Sequence, residues 1–422
     1  PVLCWFYLKA YPNYMYMAIA IALFVIFNHR DNIKRLIKHE EPDLDFSKIA
    51  AKLGMNKTEA EPVATEVVAE PVATVLVAAS NPVHEEFAEP EPVDYYEGIK
   101  VPKLKANEKK NISVIGNGSF GTAIANVIVH NGHKVTVYGR NKEDIEMMAE
   151  TNMNEKYLPY VILSDKIKYT NVLRTAVSNR DVVIFAVPAQ SFRAVSKKAS
   201  RYLKDGAVVV NLAKGIEQGT LNSMAEIAAE TMPKAKYVAL SGPSHAEEVV
   251  RNYPAALVAA SKDKDAAKLV QDVLMNDKVR IYTHEDIVGV ELGGAVKNVI
   301  AIATGISDGM KFGNNARAAL MTRATHEISK LGKAIGADEK TFAGLTGIGD
   351  LIVTCSTNLS RNRRCGLFIG LGLTPEEAVD KVGSTVEGFY TAQAAKELAD
   401  KYEVEMPIVQ VVYSVLKGDL TP

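Results

Sequence analysis

Ile112-Ser-Val-Ile115 runs into Gly116-Asn-Gly118-Ser-Phe-Gly121, which opens the helical pattern Thr122–Asn131 and is followed by the apolar stretch Lys134-Val-Thr-Val-Tyr138. A G-x-G-x-x-G spacing means little by itself. Here it follows a strand, opens a helix and precedes a second strand by about 20 residues, which is the setting of a dinucleotide site. The first glycine permits the tight turn. Gly118 lets the backbone approach a pyrophosphate, and Gly121 lets helix and strand pack closely. The helix start adds amide donors and partial positive charge.

Further apolar runs continue the series at Asp181–Val187, Ala207–Leu212 and Tyr237–Leu240. Strands alternating with helices predict an α/β fold of the Rossmann type, a doubly wound and mostly parallel sheet with helices on both faces. From about Asp286 strand signals vanish, and helical patterns with short glycine-containing breaks run to the end. The expected order is an apolar segment at 1–30, a tether at 31–110, a dinucleotide-binding domain at 111–285 and an all-helical substrate domain at 286–422.

The N-terminal 110 residues read as non-globular. Ala10 to Asn28 carries no charge, and its densest part, Tyr14 to Phe27, is shorter than the roughly 20 residues of a comfortable membrane span. Arg30, Lys34, Arg35 and Lys38 follow. A targeting segment, a short anchor giving membrane association through residues 10–28, and a buried helix all fit these flanks. Ala60-Glu-Pro-Val-Ala-Thr65 recurs as Ala69-Glu-Pro-Val-Ala-Thr74, in a stretch whose prolines break helices and strands. Such a composition makes an acidic tether, with ordered structure expected to begin at Asn111.

Across the chain, 47% hydrophobic and 23% charged residues suit a globular core, and a net charge of -1 supplies no field that draws in nucleic acid. The cysteines, Cys4, Cys355 and Cys365, have neither a disulfide framework nor metal-ligand spacing, so no metal is expected and a reducing compartment is.

Several residues carry candidate chemistry. Where an acidic side chain would grip a ribose 2′-hydroxyl at the end of the second strand, the chain has Tyr138-Gly-Arg140. A cation there can pair with a 2′-phosphate or stack on adenine, so NADP is expected to be accepted alongside NAD. Lys214 follows a strand, at the sheet edge where ligands bind, and could equally be a solvated loop lysine. Lys297 sits among Val296, Val299 and Ile300 in an apolar helix, so it is either buried for proton transfer or snorkelling. Asp350 ends the glycine-rich run Gly344-Leu-Thr-Gly-Ile-Gly-Asp350, as a site carboxylate or a plain cap. Ser360-Arg-Asn-Arg-Arg364 places three guanidiniums in four residues, suited to phosphate or to an exposed basic helix start.

Taken together, Gly116–Gly121, Ala213-Lys-Gly215, Leu240-Ser-Gly-Pro-Ser244, Val290-Glu-Leu-Gly-Gly-Ala-Val-Lys-Asn298, Asn314-Asn-Ala-Arg-Ala-Ala319, Gly347-Ile-Gly-Asp350, Asn358-Leu-Ser-Arg-Asn-Arg363 and Val386-Glu-Gly388 resemble the NAD(P)-dependent glycerol-3-phosphate dehydrogenase family, plastid- and bacterial-like, in order and spacing. The resemblance covers about Asn111 to Pro422. It implies reversible reduction of dihydroxyacetone phosphate to sn-glycerol 3-phosphate with NADP or NAD, a supply for glycerolipid synthesis. It also implies that Ser119, Phe120, Arg140, Ala246, Arg361 and Glu387 meet the cofactor with Gly116, Gly118 and Gly121, and that Lys214 meets both cofactor and substrate. Gly242, Ser244, Asn298, Ser360, Arg361 and Asn362 are implied as substrate neighbours. Lys297, Lys214 and Asp350 become the catalytic set, with Lys297 transferring the proton. His245 and Thr385 depart from the family pattern, where an aromatic and an aliphatic are usual.

Two rival readings have distinct signatures. Another dehydrogenase of this architecture, acting on a hydroxy acid, would centre on a His/Glu pair or another lysine pattern. A catalytically inactive nucleotide-binding sensor would have lost Lys214, Lys297 or Asp350. A homodimer is the expected assembly. Asn-x-Ser/Thr triplets at Asn111, Asn117 and Asn358 fall inside the enzyme and argue against a glycosylating lumen. Delivery to a plastid is expected, with a cytoplasmic or membrane-anchored enzyme as the alternative.

Overall fold

The computed structural model describes residues 91–105 and 108–422. The apolar start and the repeat-bearing part of the tether lie outside the described residues.

The first half alternates as expected: β1 (Asn111–Ile115), α1 (Ser119–His130), β2 (Lys134–Tyr138), α2 (Lys142–Thr151), a small hairpin of β3 (Met153–Asn154) and β4 (Leu158–Ile162), β5 (Lys168–Thr170), α3 (Leu173–Val177), β6 (Val182–Phe185), α4 (Ala189–Ala199), β7 (Val208–Asn211), α5 (Met224–Thr231), β8 (Lys236–Ser241), α6 (Ala246–Val250), β9 (Ala255–Ala260), α7 (Lys264–Leu274) and β10 (Val279–His284). Eight strands form one sheet in the order β10-β9-β8-β7-β6-β1-β2-β5. All neighbours are parallel except β8 and β9, which pair antiparallel. The last two strands, beyond the run that ended at Leu240, extend the expected sheet.

The strands are apolar on both faces because helices cover both. Ile112, Val114, Ile184, Val208 and Val210 enter one cluster with Ile124 and Val127 of α1 and Val270 and Val273 of α7. Their neighbours Ile115, Val183, Phe185 and Val209 enter the other, with Ala176 of α3, Phe192 of α4 and Ile227 of α5.

The second half is helical: α8 (Ile287–Gly309), α9 (Gly313–Ala334), α10 (Asp350–Ser356), α11 (Arg361–Gly370), α12 (Pro375–Val382), α13 (Glu387–Lys401) and α14 (Pro407–Leu416). Among the described residues, α8 is long and apolar enough to cross a membrane, but most of it is buried within the protein. Its backbone meets α11 directly. A methyl on Gly305 would fall 2.1 Å from the Arg363 carbonyl oxygen, and one on Gly366 2.0 Å from that of Ile302.

One boundary is corrected. Ordered packing starts before Asn111, because Tyr96 is buried at 5% exposure and Val93 bridges to Val161 of β4. Two adjacent aromatics, Tyr95 and Tyr96, end the proline-rich stretch and give it apolar surface worth burying.

Candidate active site

The phosphate loop has the geometry its glycines predict. Gly116 takes φ +119°, and a Cβ there would meet the Ala186 carbonyl oxygen at 2.4 Å. At Gly121 a Cβ would meet the Gly116 carbonyl oxygen at 2.4 Å, so helix and turn touch only because both residues are glycine. Nothing lies within 4 Å of a Cβ built on Gly118, and Gly118 caps α1 without a side-chain bond. The helix start at Ser119 and Phe120 therefore presents backbone amides beneath open space, which fits a dinucleotide pyrophosphate. Arg140 stands exposed two residues after β2. Ala246 begins α6 and is buried, so a methyl is all it offers a neighbour.

Sequence reasoning passed over Asn154, which is 3% exposed. Its amide donates to the Asn117 carbonyl and to the Thr122 hydroxyl, both at 2.8 Å, tying the hairpin to the loop. Its signal was a buried amide in a two-residue strand, which tertiary structure alone reveals.

Lys214, Lys297 and Asp350, far apart in the chain, converge. Lys214 leaves the end of β7, Lys297 lies mid-way along α8, and Asp350 opens α10. Lys214 Nζ donates to Asp350 Oδ2 at 2.6 Å and to the Gly242 carbonyl at 3.1 Å. Lys297 Nζ donates to Asp350 Oδ1 at 2.5 Å and to Thr354 Oγ1 at 2.7 Å. Thr354, four residues past Asp350 on the same helix face, was not anticipated. Asp350 is 1% exposed and Lys297 6%, so snorkelling is excluded for Lys297. The small residues of α8 allow this approach, since a Cβ on Gly294 would fall 2.7 Å from Ser241 Oγ and within 4 Å of the Lys214 side chain.

Burial brings the Lys297 ammonium down to about 8; Asp350 opposes that fall and Lys214 adds to it. Burial raises the Asp350 carboxyl, but the two ammonium groups outweigh it and hold the group below the usual carboxylate range. The cluster is thus two cations around one firmly ionised anion.

Around it, side-chain amides form a relay. Asn298 donates to the Lys214 carbonyl at 3.3 Å and accepts from Asn362 at 3.0 Å, while Asn362 accepts from the Gly388 amide at 2.8 Å. The relay fixes Lys214 and the start of α13 together. There Glu387 accepts from the Ala189 amide at 3.2 Å, just past β6, and its other oxygen is buried with no partner. Burial raises the Glu387 carboxyl, partly offset by the Ala189 amide and the Arg361 charge. A buried oxygen awaiting a donor suits a ribose hydroxyl.

The arginine run divides. Arg363 is committed to Asp308, at 2.6 Å and 2.9 Å, and to Asn358. Ser360 caps α11 by accepting from the Arg363 amide at 3.2 Å. Arg361 alone of the three is exposed. Ser244 turns its hydroxyl back to the Gly242 carbonyl at 3.0 Å. His245, in place of the usual aromatic, packs half-buried with Nε2 3.4 Å from the Val353 carbonyl oxygen. Cys355 is buried and its thiol pushed up to about 11 by burial, so it is no nucleophile.

Comparison with known proteins agrees with this geometry. Residues 111–267 match the family described as NAD-dependent glycerol-3-phosphate dehydrogenase N-terminus, and residues 286–422 match its C-terminus. A glycerol-3-phosphate dehydrogenase [NAD(P)+] of Fusobacterium nucleatum is 45% identical over 307 residues, 72% of this chain and 92% of that protein. One from Thermoanaerobacter is 48% identical over 305 residues, again 72% and 92%. The crystal structure of glycerol-3-phosphate dehydrogenase from Coxiella burnetii is 36% identical with a TM-score of 0.72, covering 75% of this chain and 97% of its own. With its two halves matched in order and its charged cluster intact, the chain belongs to the NAD-dependent glycerol-3-phosphate dehydrogenase family.

Proposed function

We propose that the protein catalyses the reversible reduction of dihydroxyacetone phosphate to sn-glycerol 3-phosphate, with NADPH or NADH as reductant. The observation that carries this is the pair of ammonium groups on one buried carboxylate, at the carboxyl ends of β7 and β8 and two strands from the phosphate loop. Gly116, Gly118, Ser119, Phe120 and Gly121 would hold the dinucleotide phosphates, with Arg140 on the adenosine side and the unpartnered Glu387 oxygen available to a ribose hydroxyl. A bound nicotinamide supplies the hydride, while the protein supplies charge and protons.

In reduction the substrate C2 carbonyl oxygen gains charge. Lys297 donates the proton to that oxygen, with a pKa close enough to working pH to act as acid in one direction and base in the other. Lys214 offers positive charge to the same oxygen. Asp350 holds both ammonium groups in place and keeps Lys297 protonated. Arg361, Asn298, Asn362 and the Ser244 turn surround the phosphate end. The intact cluster opposes the sensor reading. With dihydroxyacetone phosphate added to the purified protein, NADPH or NADH absorbance should fall, and oxo acids, the oxidised partners of hydroxy acids, should produce no fall. Dinucleotide binding without such turnover would refute the proposal and favour a sensor.

The apolar start supports a further proposal, delivery of the enzyme to a plastid, on the flanks of that segment alone. A fusion of residues 1–110 with a start methionine to a fluorescent reporter tests it in a plastid-bearing cell. A diffuse cytosolic signal would count against it, and a carbonate-resistant pellet of the whole protein would favour an anchor.

A further inference from the structure

Residues 93–96 lie outside the stretch matched to the family, yet they grip three elements that each carry part of the dinucleotide site. The first is the β3–β4 hairpin. The Val93 amide donates to the Tyr160 carbonyl and the Ile162 amide donates to the Val93 carbonyl, both at 3.0 Å. The same hairpin holds the phosphate loop through Asn154. The second is α1, which begins at the loop. Its last residue, His130, stacks on Tyr96 with ring centroids 4.0 Å apart and planes 24° apart. The His130 ring is itself fixed, with Nδ1 2.7 Å from the Asn126 carbonyl oxygen. The third is α6, which begins at Ala246. The Tyr96 hydroxyl donates to the Val249 carbonyl at 3.4 Å, and Arg251 lies over the Tyr95 ring, 5.8 Å from its centroid.

We infer that residues 93–96 are a clasp that positions the dinucleotide loop from behind, with Tyr96 as its central positioning residue. This rests on the dinucleotide reading above. The physical reason is mechanical. The loop is backbone held by a strand, a helix start and one amide, and any rotation of α1 or the hairpin moves the donors off the pyrophosphate. The clasp ties the far ends of these elements to one another, so they cannot rotate separately. It touches no substrate residue, so its removal should weaken dinucleotide binding and leave the chemical step alone.

The experiment uses the full chain and four point variants, with NADPH and NADH as probes. Tyr96→Leu keeps the burial and loses the stack, and should raise the dinucleotide KM about two- to tenfold, the worth of one aromatic pair. Both kcat and the KM for dihydroxyacetone phosphate should stay near the parent. Tyr96→Phe keeps the stack and should restore the dinucleotide KM. Val93→Pro removes the amide given to Tyr160 and should raise the same KM. Combined with Asn154→Ala, it should cost less than the two separately, because both act through one hairpin. An unchanged dinucleotide KM alongside a lowered thermal midpoint would show a merely structural strap and overturn the inference. Strict additivity of Val93→Pro and Asn154→Ala would overturn it too. A parent chain that binds neither dinucleotide would overturn both this inference and the functional reading, whereas a parent that binds while its variants match it overturns the inference alone.

Discussion

Replacing Asp350 by Asn separates what the carboxylate does from the space it fills. The amide keeps the shape, but its single oxygen can accept from only one of Lys297 and Lys214, which now lie 2.5 Å and 2.6 Å from the two carboxylate oxygens. Its charge is gone. Lys297 already sits near 8 because burial disfavours its ammonium, and Asp350 is the influence that opposes the fall. Without that charge, and with Lys214 still beside it, Lys297 must lose its proton at lower pH. One opposite charge at this range moves such a titration by about 1–3 pH units, so the alkaline limb of the reduction profile should move down by that amount. At pH 8 the parent is roughly half protonated, and the variant should lose about 5-fold in rate for a one-unit move and about 500-fold for three. The loss should shrink as pH falls toward 5, where the variant's lysine is charged again. The assay is kcat/KM for dihydroxyacetone phosphate from pH 5 to 9 at saturating NADPH. A pH-independent loss, with the limb where the parent has it, would refute the claim that Asp350 sets the protonation of Lys297.

Three further outcomes follow from the same site. Lys297→Ala should lower turnover by roughly 10²–10⁴ while leaving dinucleotide affinity near the parent, and a loss within about threefold would remove Lys297 from proton transfer. Arg140→Asp should weaken NADPH use selectively because a carboxylate repels the 2′-phosphate; an unchanged ratio of NADPH to NADH efficiencies would show that Arg140 does not read that group. Arg361→Lys should raise the KM for dihydroxyacetone phosphate and narrow discrimination against dihydroxyacetone, since lysine lacks the planar fork. Equal discrimination in the two proteins would place the phosphate elsewhere.

The phosphate loop was legible because its signal is local. Strand, glycine spacing and helix lie within 20 consecutive residues, from Asn111 to His130, and each glycine answers to a steric demand the structure displays. Lys297 stood out because an ammonium in an apolar helix needs a reason. Asp350 was legible only as a site carboxylate or a cap from its own run, and its pairing with Lys297 was not, since the two lie 53 residues apart and packing brings them together. The arginine run shows the opposite failure. Residue type marked Arg361 and Arg363 alike, but Asp308, 55 residues before Arg363, claims that guanidinium. One strand in from the sheet edge, Ala255-Ala-Leu-Val-Ala-Ala260 pairs as β9 although alanine has little intrinsic preference for a strand. β10 then buries Val279 and Ile281 and exposes Arg280 and Tyr282, an alternation that was readable. The clasp was hidden by composition. Prolines and glutamates around it signal a tether, and Tyr95-Tyr96 alone hints that the tether docks.

Under the proposed reaction, the charge balance of the cluster favours a phosphorylated ketone over a neutral one. A single buried ammonium would be costly and would shed its proton, and an ammonium fully paired with a carboxylate would have no charge left for substrate. Two lysines on one aspartate leave a surplus of one positive charge in a place that burial makes poorly screened. Burial opposes a full negative charge on Glu387, and Arg361 adds a second cation at the rim. A substrate bringing a phosphate and, during reduction, a growing negative oxygen meets that surplus at both ends. A neutral ketone meets it at one. The discrimination expected of Arg361 therefore measures the outer half of an asymmetry whose inner half is built by Asp350; weakening the outer half should cost the phosphorylated substrate more than its neutral analogue, whereas weakening the inner half should cost both.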